Sequence, residues 1–315
     1  MLRRMPQNTI TLVLKPAEAP ELQALLKAQG FELDVAPHSF FRARGSGCTI
    51  TFYKKGKVVL QGRYAENWAM QIAPDQPLPG EEPHPFDNAM KKHPVPAPKQ
   101  WAGIDETGKG DYFGPLVVVA AAVERSRVEL LRELGVADSK KLTDQRAKKL
   151  AMEIRTFCPF RKVVIHPERY NSLYARIGNL NQLLAWGHAR ALEDLLEIAP
   201  GCTYALSDQF ARNRAVVERK LMTAARAIHF DQRTRAEEDP AVAAASILAR
   251  AEFVWQMEKL ERTAGQRLPK GAGPPVLSAA KELVSREGAE ALQKYAKMHF
   301  KTTDQVLGTP PGKAT

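Results

Sequence analysis

Residues 102–124 read AGIDETGKGDYFGPLVVVAAAVE, and this stretch decides the fold of the larger part of the chain. AGIDET (102–107) and PLVVVAAAVE (115–124) are strand-like. The glycine-rich turn GKGDYFG (108–114) lies between them, so the two should pair as an antiparallel hairpin. Asp105 and Glu106 close the first strand. Neighbouring residues of a regular strand face opposite sides. For both acids to reach one site, the strand is expected to end or distort there, which a following glycine makes easy.

Downstream, the pattern alternates between helix and strand. KKLTDQRAKKLAMEIRTF (140–157) places Leu142, Leu150 and Ile154 at helical spacing, and Thr143 is a fitting cap. RKVVIHP (161–167) and TYALSD (203–208) read as strands. NSLYARIGNLNQLLAWGHARALEDLLEIA (171–199) reads as a helical region, as do NRAVVERKLMTAARA (213–227) and the alanine-rich AVAAASILARAEFVWQMEKLER (241–262). After the loop LPKGAGPP come two more helical stretches, LSAAKELVSREG (277–288) and AEALQKYAKMHF (289–300). A hairpin followed by alternating helices and strands predicts an α/β unit over 101–307, with helices on the faces of a mixed sheet. Residues 308–315 read as a flexible tail.

Upstream, residues 1–73 predict a small α+β domain. TITLVLK, FELDVA, HSFFRARG, CTITFYKKG and KVVLQG are strand-like, and several alternate apolar with polar residues as in a sheet with one wet face. APELQALLKAQG and YAENWAMQI are the helices. Residues 74–100 are dense in proline and charge, have little to bury, and read as a partly extended linker.

The chain of 315 residues carries 46 Lys and Arg against 35 Asp and Glu, a net charge of +11 that favours polyanionic partners, nucleic acid first. It is 44% hydrophobic and 26% charged, which supplies real cores and argues against general disorder. Cys48, Cys158 and Cys202 have no metal-site spacing and fit no closed disulfide set, so a reduced, cytoplasmic compartment is expected. No secretory signal and no membrane span is read from the sequence.

Hydrolysis of a phosphodiester requires charge stabilisation on the attacking and leaving oxygens, which two metal ions ~3.5–4 Å apart can supply. Hard cations such as Mg²⁺ and Mn²⁺ prefer carboxylates. A nuclease should therefore place several acids at strand ends and helix starts. Asp105-Glu106 and Asp208 stand at strand ends, and Glu237-Glu238-Asp239 precedes the alanine-rich helix, where acids also complement the helix dipole.

GIDETGKGDYFGPLVVVA, DSKKLT, SDQF and RAEEDPAVAAASILAR occur in that order over about 200 residues. The order resembles that of the prokaryotic type 2 ribonucleases H. GKGDYFGPL, NLNQLLAW and KMHFKTT are similar to the ribonuclease HIII branch rather than to HII. The resemblance implies an α/β fold with an RNase H-like mixed sheet, preceded by a small α+β domain similar to half of a TATA-binding protein. It implies an endoribonuclease that cuts the RNA strand of RNA–DNA hybrids by a two-metal-ion mechanism, with Mg²⁺ or Mn²⁺, leaving 5′-phosphate and 3′-hydroxyl ends. A four-acid metal site is implied at Asp105, Glu106, Asp208 and one of residues 237–239. Glu237 is chosen because RAE stands where the family has Lys-Ala and then its fourth acid; Glu238 and Asp239 remain alternatives.

By the same resemblance, Gly108-Lys109-Gly110 forms a substrate-binding turn, where small residues let main-chain amides approach a phosphate or a ribose 2′-hydroxyl. Ser139 and Lys140 fall near the active cleft, and Lys140 is expected to contact phosphate. Ser246 and Arg250 share one helix face, and His299 and Lys301 are placed on a terminal helix. The remaining histidines read as structural or exposed, and Leu183, Leu184 and Trp186 as core. Arg42, Arg44, Lys54, Lys55 and Lys57, with Phe40, Phe41 and Tyr53, would let the small domain hold nucleic acid. A monomer with no membrane partner is expected. Two other readings stand beside this one: a non-catalytic nucleic-acid-binding protein on the same scaffold, and a resolvase-like DNA nuclease. Retention of the acids speaks against the first, and the glycine turn against the second.

Overall fold

The computed structural model describes residues 9–74, 84–136, 142–211, 213 and 215–308. They form two compact units, one ending at His84 and the other beginning at Pro85.

In the first unit the strands are β1 (Thr9–Val13), β2 (Glu32–Asp34), β3 (Ser39–Gly45), β4 (Cys48–Tyr53) and β5 (Lys57–Gly62), in the order β1-β5-β4-β3-β2 with every pairing antiparallel. Helices α1 (Ala19–Ala28) and α2 (Ala65–Ile72) complete it. Period-2 alternation sends Ile10, Leu12, Phe41, Ala43, Ile50, Phe52, Val58 and Leu60 into a core with Leu22, Leu26 and Trp68 of the helices. The opposite sheet face carries Thr11, Val59, Thr51 and Arg42 across one row of paired residues, with Phe40 exposed. Arg42 and Arg44 both reach Asp34, at 2.6 and 2.7 Å, so these cations are partly neutralised within the sheet.

The second unit begins within the stretch read as linker. Helix α3 (Pro85–Met90) buries Phe86 and Ala89, and His93 is buried too. This corrects the linker assignment for residues 85–100: proline density hid a few apolar anchors that dock on the unit's core. Residues 75–83 lie outside the described residues.

Strands β6 (Gln100–Thr107), β7 (Leu116–Glu124), β8 (Phe160–Ile165), β9 (Tyr204–Asp208) and β10 (His229–Arg233) form a mixed sheet in the order β10-β9-β6-β7-β8. β6, β7 and β8 pair antiparallel, whereas β6, β9 and β10 pair parallel. The expected hairpin is β6–β7. β10 goes beyond the sequence reading: HFDQR carries little apolar signal because it is an edge strand.

The helices are α4 (Val128–Glu133), α5 (Asp144–Ile154), α6 (Pro167–Ile177), α7 (Leu180–Ile198), the single turns α8 (Ala215–Glu218) and α9 (Thr223–Arg226), α10 (Pro240–Ala264), α11 (Pro274–Glu287), α12 (Leu292–Tyr295) and α13 (Lys301–Leu307). The Thr143 side chain caps α5 by accepting from Arg146 N at 3.2 Å. Four expectations change. The 171–199 helix breaks at Gly178, whose φ of 65° ends α6, and Asn179 caps α7. The 213–227 helix is two short turns. His299 precedes α13 rather than lying on a helix, because Ala296 turns extended. Trp186 is 37% exposed rather than core, while Leu183 and Leu184 are buried.

One sheet face packs α5 and α10, burying Val117, Val119, Ala121, Val123 and Leu206 with Ala243, Ala244 and Ala245. The other packs α7, burying Ala102, Ile104, Val118 and Ala120 with Ala185, Ala189 and Leu192. α10 lies so close to β6 that a Cβ on Gly103 would sit 2.0 Å from Ala241 C. Its small residues are what permit this approach.

Candidate active site

The two faces explain how neighbouring acids share one site. β6 stays regular through Asp105, paired with Val119, and Glu106, paired with Val118. Of the two expected possibilities, an end or a distortion, the strand shows the end: β6 stops at Thr107, one residue past the pair. Asp105 lies on the α10 side, where Ser246 hydrogen-bonds its carboxyl; Glu106 lies on the α7 side, where His188 Nε2 meets Oε2 at 3.0 Å. The cleft spans the end of the strand and receives one acid from each face.

That cleft, of about 390 Å³, is lined by Asp105, Glu106, Asp208 and Glu237 together with Gly108, Lys109, Gly110, Asp111, Ser246, Arg250 and Lys270. Asp208 ends β9 and accepts from Ala236 N at 3.2 Å, which ties it to the 3-10 turn Ala236–Glu238 bearing Glu237. The alternatives to Glu237 point elsewhere. Glu238 lines a separate small hollow beside Arg235. Asp239 is buried; it caps α10 through Ala241 N at 2.9 Å, accepts from Trp101 Nε1 at 2.9 Å and meets His93 Nε2 at 2.6 Å. Ser139 and Lys140 lie outside the described residues.

The glycine turn divides into positions with different demands. Gly108 has φ +93°, and a Cβ there would meet Pro115 O at 2.2 Å; Gly114 has φ +83°, and its Cβ would meet Met257 Sδ at 2.2 Å. Both need glycine for the fold. A Cβ on Gly110 would meet nothing within 4 Å, so the free protein places no steric demand there.

Electrostatics separates the two β6 acids. Burial, reinforced by the negative charges of Glu106 and Asp208, pushes the Asp105 carboxyl up to about 8. Burial would raise Glu106 as well, but its hydrogen bond to His188, the charge of His188 and that of Lys109 hold it below the usual range. Lys109 Nζ stands 3.7 Å from Glu106 Oε1 and 5.6 Å from the Phe210 ring centre.

Oxygen donors of this kind suit a hard divalent cation, and the raised Asp105 reflects first its desolvation and then the neighbouring acids, both of which a cation would offset. Among the described residues no three acids, histidines or cysteines converge into a finished metal cage. Asp105, Glu106 and Asp208 each rest on a protein donor instead.

Sequence reasoning missed three contributors. His188, fully buried on α7, joins Glu106 to Ser207 Oγ (2.9 Å from Nδ1), and Ser207 Oγ donates to Asp208 O at 3.0 Å. From the sequence it reads as structural or exposed by default, because the histidines show no metal-ligand spacing. Lys270, in the LPKGAGPP loop, lines the cleft, and with Arg250 it pairs with Asp144. Asp111 accepts from Gly271 N at 2.6 Å.

A mixed five-stranded sheet with acids gathered at the ends of β6 and β9 defines a nuclease of the ribonuclease H type. The model of the family Ribonuclease HII matches residues 102–303, and residues 9–81 match a domain of unknown function (DUF3378). The chain is 38% identical over 309 residues to the ribonuclease HIII of Protochlamydia amoebophila, covering 96% of this chain and 98% of that one. It is 37% identical over 297 residues to that of Chlamydia muridarum, covering 94% and 96%. The crystal structure of Bst-RNase HIII in complex with Mn²⁺ superposes with a TM-score of 0.64 at 29% identity, covering 96% of this chain and 98% of that one. The chain belongs to the ribonuclease HIII family, an endoribonuclease branch of the type 2 ribonucleases H.

Proposed function

We propose that this chain hydrolyses the RNA strand of RNA–DNA hybrids, with Asp105, Glu106, Asp208 and Glu237 as its metal-holding acids. The observation that carries this reading is their meeting in one cleft beside the Gly108–Gly110 turn, although they come from three separate segments. Bound at these acids, a pair of divalent cations, Mg²⁺ or Mn²⁺, supplies positive charge to the reacting phosphate and an acidified water as nucleophile. The protein orients the rest. Ser246 and the Glu106 amide hold Asp105, and His188 holds Glu106. Lys109, Arg250 and Lys270 provide the positive rim along which the phosphate backbone lies, with Arg250 and Lys270 released from Asp144 when nucleic acid enters. We assign Ser139 and Lys140 to substrate binding as well, on the family resemblance alone. Residues 1–73 act as a second binding domain through the open sheet face bearing Phe40, Arg42 and Lys57. The chain works as a monomer in the cytoplasm. Among the described residues no helix is long and apolar enough to cross a membrane.

The deciding assay offers labelled RNA–DNA, DNA–DNA and RNA–RNA duplexes with Mg²⁺ or Mn²⁺. Cleavage confined to the RNA of the hybrid, leaving 5′-phosphate and 3′-hydroxyl ends, is expected. Binding without cleavage, or cleavage of duplex or branched DNA, would replace the reading with one of its rivals.

Two substitutions probe the site's parts. His188→Ala frees Glu106 from its orienting partner, so Mn²⁺ affinity should fall about 10–100-fold, the usual effect of losing a group that orients a metal ligand. Titration calorimetry showing parental affinity would remove His188 from the site. Gly110→Ala should leave stability within about 0.5 kcal/mol, because the added methyl meets open space. It should raise the hybrid KM at least ~10-fold by blocking close approach of the substrate backbone. An unchanged KM would show that nothing approaches there.

A further inference from the structure

The Gly108–Gly114 turn is held from outside the cleft by a segment distant in sequence. Lys297 N donates to Tyr112 O at 2.8 Å, Gly114 N donates to Tyr295 O at 2.9 Å, and Phe113 and Ala296 form an antiparallel bridge. The Lys297 side chain then enters the turn itself. Its Nζ donates to Asp111 O at 2.8 Å and Gly114 O at 2.7 Å, with Phe113 O at 3.5 Å. The residue is fully buried, with the Tyr170 ring centre 5.7 Å from Nζ.

Such a site is expensive. Burial pushes the Lys297 ammonium down to about 7, and a purely packing role would be met better by an apolar side chain. What an ammonium does that an apolar group cannot is draw main-chain carbonyls of one turn inward together. The Asp111 carbonyl turned towards Nζ leaves the Tyr112 amide of the same peptide pointing away, where it donates to Gly271 O at 2.8 Å. Gly271 N returns a bond to Asp111 Oδ1 at 2.6 Å. Lys297 is itself fixed on both sides: Asn171 Nδ2 donates to Ala296 O at 2.9 Å, and Asn171 Oδ1 accepts from Met298 N at 2.9 Å. Residues 108–110, the part of the turn that lines the cleft, thus spring from a rigid base.

We propose that Lys297 is a positioning residue for hybrid recognition: its ammonium gathers the carbonyls of residues 111–114 and so fixes the turn that receives the substrate backbone. The substrate part of this proposal rests on the functional reading above. Lys297→Met keeps the volume and removes the charge; Lys297→Ala leaves space for an added primary amine. Hydrogen exchange on the full chain, without metal or nucleic acid, reads the turn alone. Exchange across residues 108–114 should quicken about 10-fold or more in both variants while α10 keeps its protection. In hybrid cleavage, KM should rise roughly 10–100-fold with Mn²⁺ affinity unchanged, and n-propylammonium should restore Lys297→Ala but not Lys297→Met. Parental exchange in the turn, a parental KM, a matching loss of Mn²⁺ affinity, or no rescue by the amine each overturns the proposal. So does failure of both variants to fold, which would assign Lys297 to the fold as a whole. If the parent chain cuts no hybrid, the functional reading fails alone, because hydrogen exchange still decides whether Lys297 sets the turn.

Discussion

Asp105→Asn is expected to abolish cleavage, by about 10³-fold or more, and at the same time to stabilise the metal-free protein. On the proposed reading, the activity loss follows from removing one of the carboxylates that concentrate charge on the reacting phosphate, an effect on the scale of ~4 kcal/mol or more. The gain in stability follows from the opposite cost in the free protein. Asp105 is half-buried at the end of β6, and desolvation together with the charges of Glu106 and Asp208 pushes its carboxyl up from the usual 3.8 to about 8. Between those two values the folded chain binds more proton at this group than the unfolded chain does. Stability therefore falls as pH rises through that window. An amide at position 105 is indifferent to pH, so the variant should unfold later than the parent, by on the order of 2 kcal/mol near pH 7.

The same proton links metal binding to pH. A cation entering the site must displace it below about 8, so the parent's Mn²⁺ affinity should climb with pH towards that value. In Asp105→Asn that climb should flatten, and Mn²⁺ should raise the unfolding temperature far less. Denaturation series at several pH values, with and without Mn²⁺, test both halves. A variant that cuts hybrids at the parental rate would dismantle the site. One that is no more stable than the parent without metal would show that the acids do not strain one another.

Much of this site is legible in the sequence, and the parts that are not share a physical cause. The β6–β7 hairpin, the Thr143 cap and the strand end at Asp208 are readable because each depends on local chemistry: turn glycines, a side-chain acceptor, an apolar run. The face on which each β6 acid projects follows from strand alternation, but how both reach one cleft does not. That depends on helices packing on both faces of a sheet that ends beneath them. His188 is invisible for the same reason. Its partners Glu106 and Ser207 lie 82 and 19 residues away, and its own helix looks like ordinary core. The choice among Glu237, Glu238 and Asp239 also lies beyond sequence. It turns on Asp239 being drawn inward by Trp101 and His93, which leaves Glu237 facing the cleft. His93 in turn sits in a stretch whose prolines read as linker.

Among the described glycines Gly103 has the closest main-chain neighbours, and Gly103→Ala is expected to cost at least ~3 kcal/mol of stability. A Cβ there would stand 2.0 Å from Ala241 C, 2.1 Å from Val242 N and 2.4 Å from Ala241 O, all main-chain atoms of the first turn of α10. No side chain can swing aside to make room, so strand and helix must separate. They are also bolted together at that level. Trp101, two residues earlier in β6, donates to Asp239 Oδ1 at 2.9 Å, and the same carboxylate caps α10. Backing the helix away therefore stretches a buried hydrogen bond as well as opening the core, and the two penalties add. Function should fall further than stability. The displacement would carry Ser246 away from Asp105 and shift the turn bearing Glu237, so even at a temperature where the variant is folded its kcat should drop. Urea unfolding followed by single-turnover cleavage at about 25 °C separates the two effects. A Gly103→Ala chain that unfolds at the parental midpoint would mean that α10 has room to spare, and that its close approach to β6 is not what brings Glu237 to the cleft.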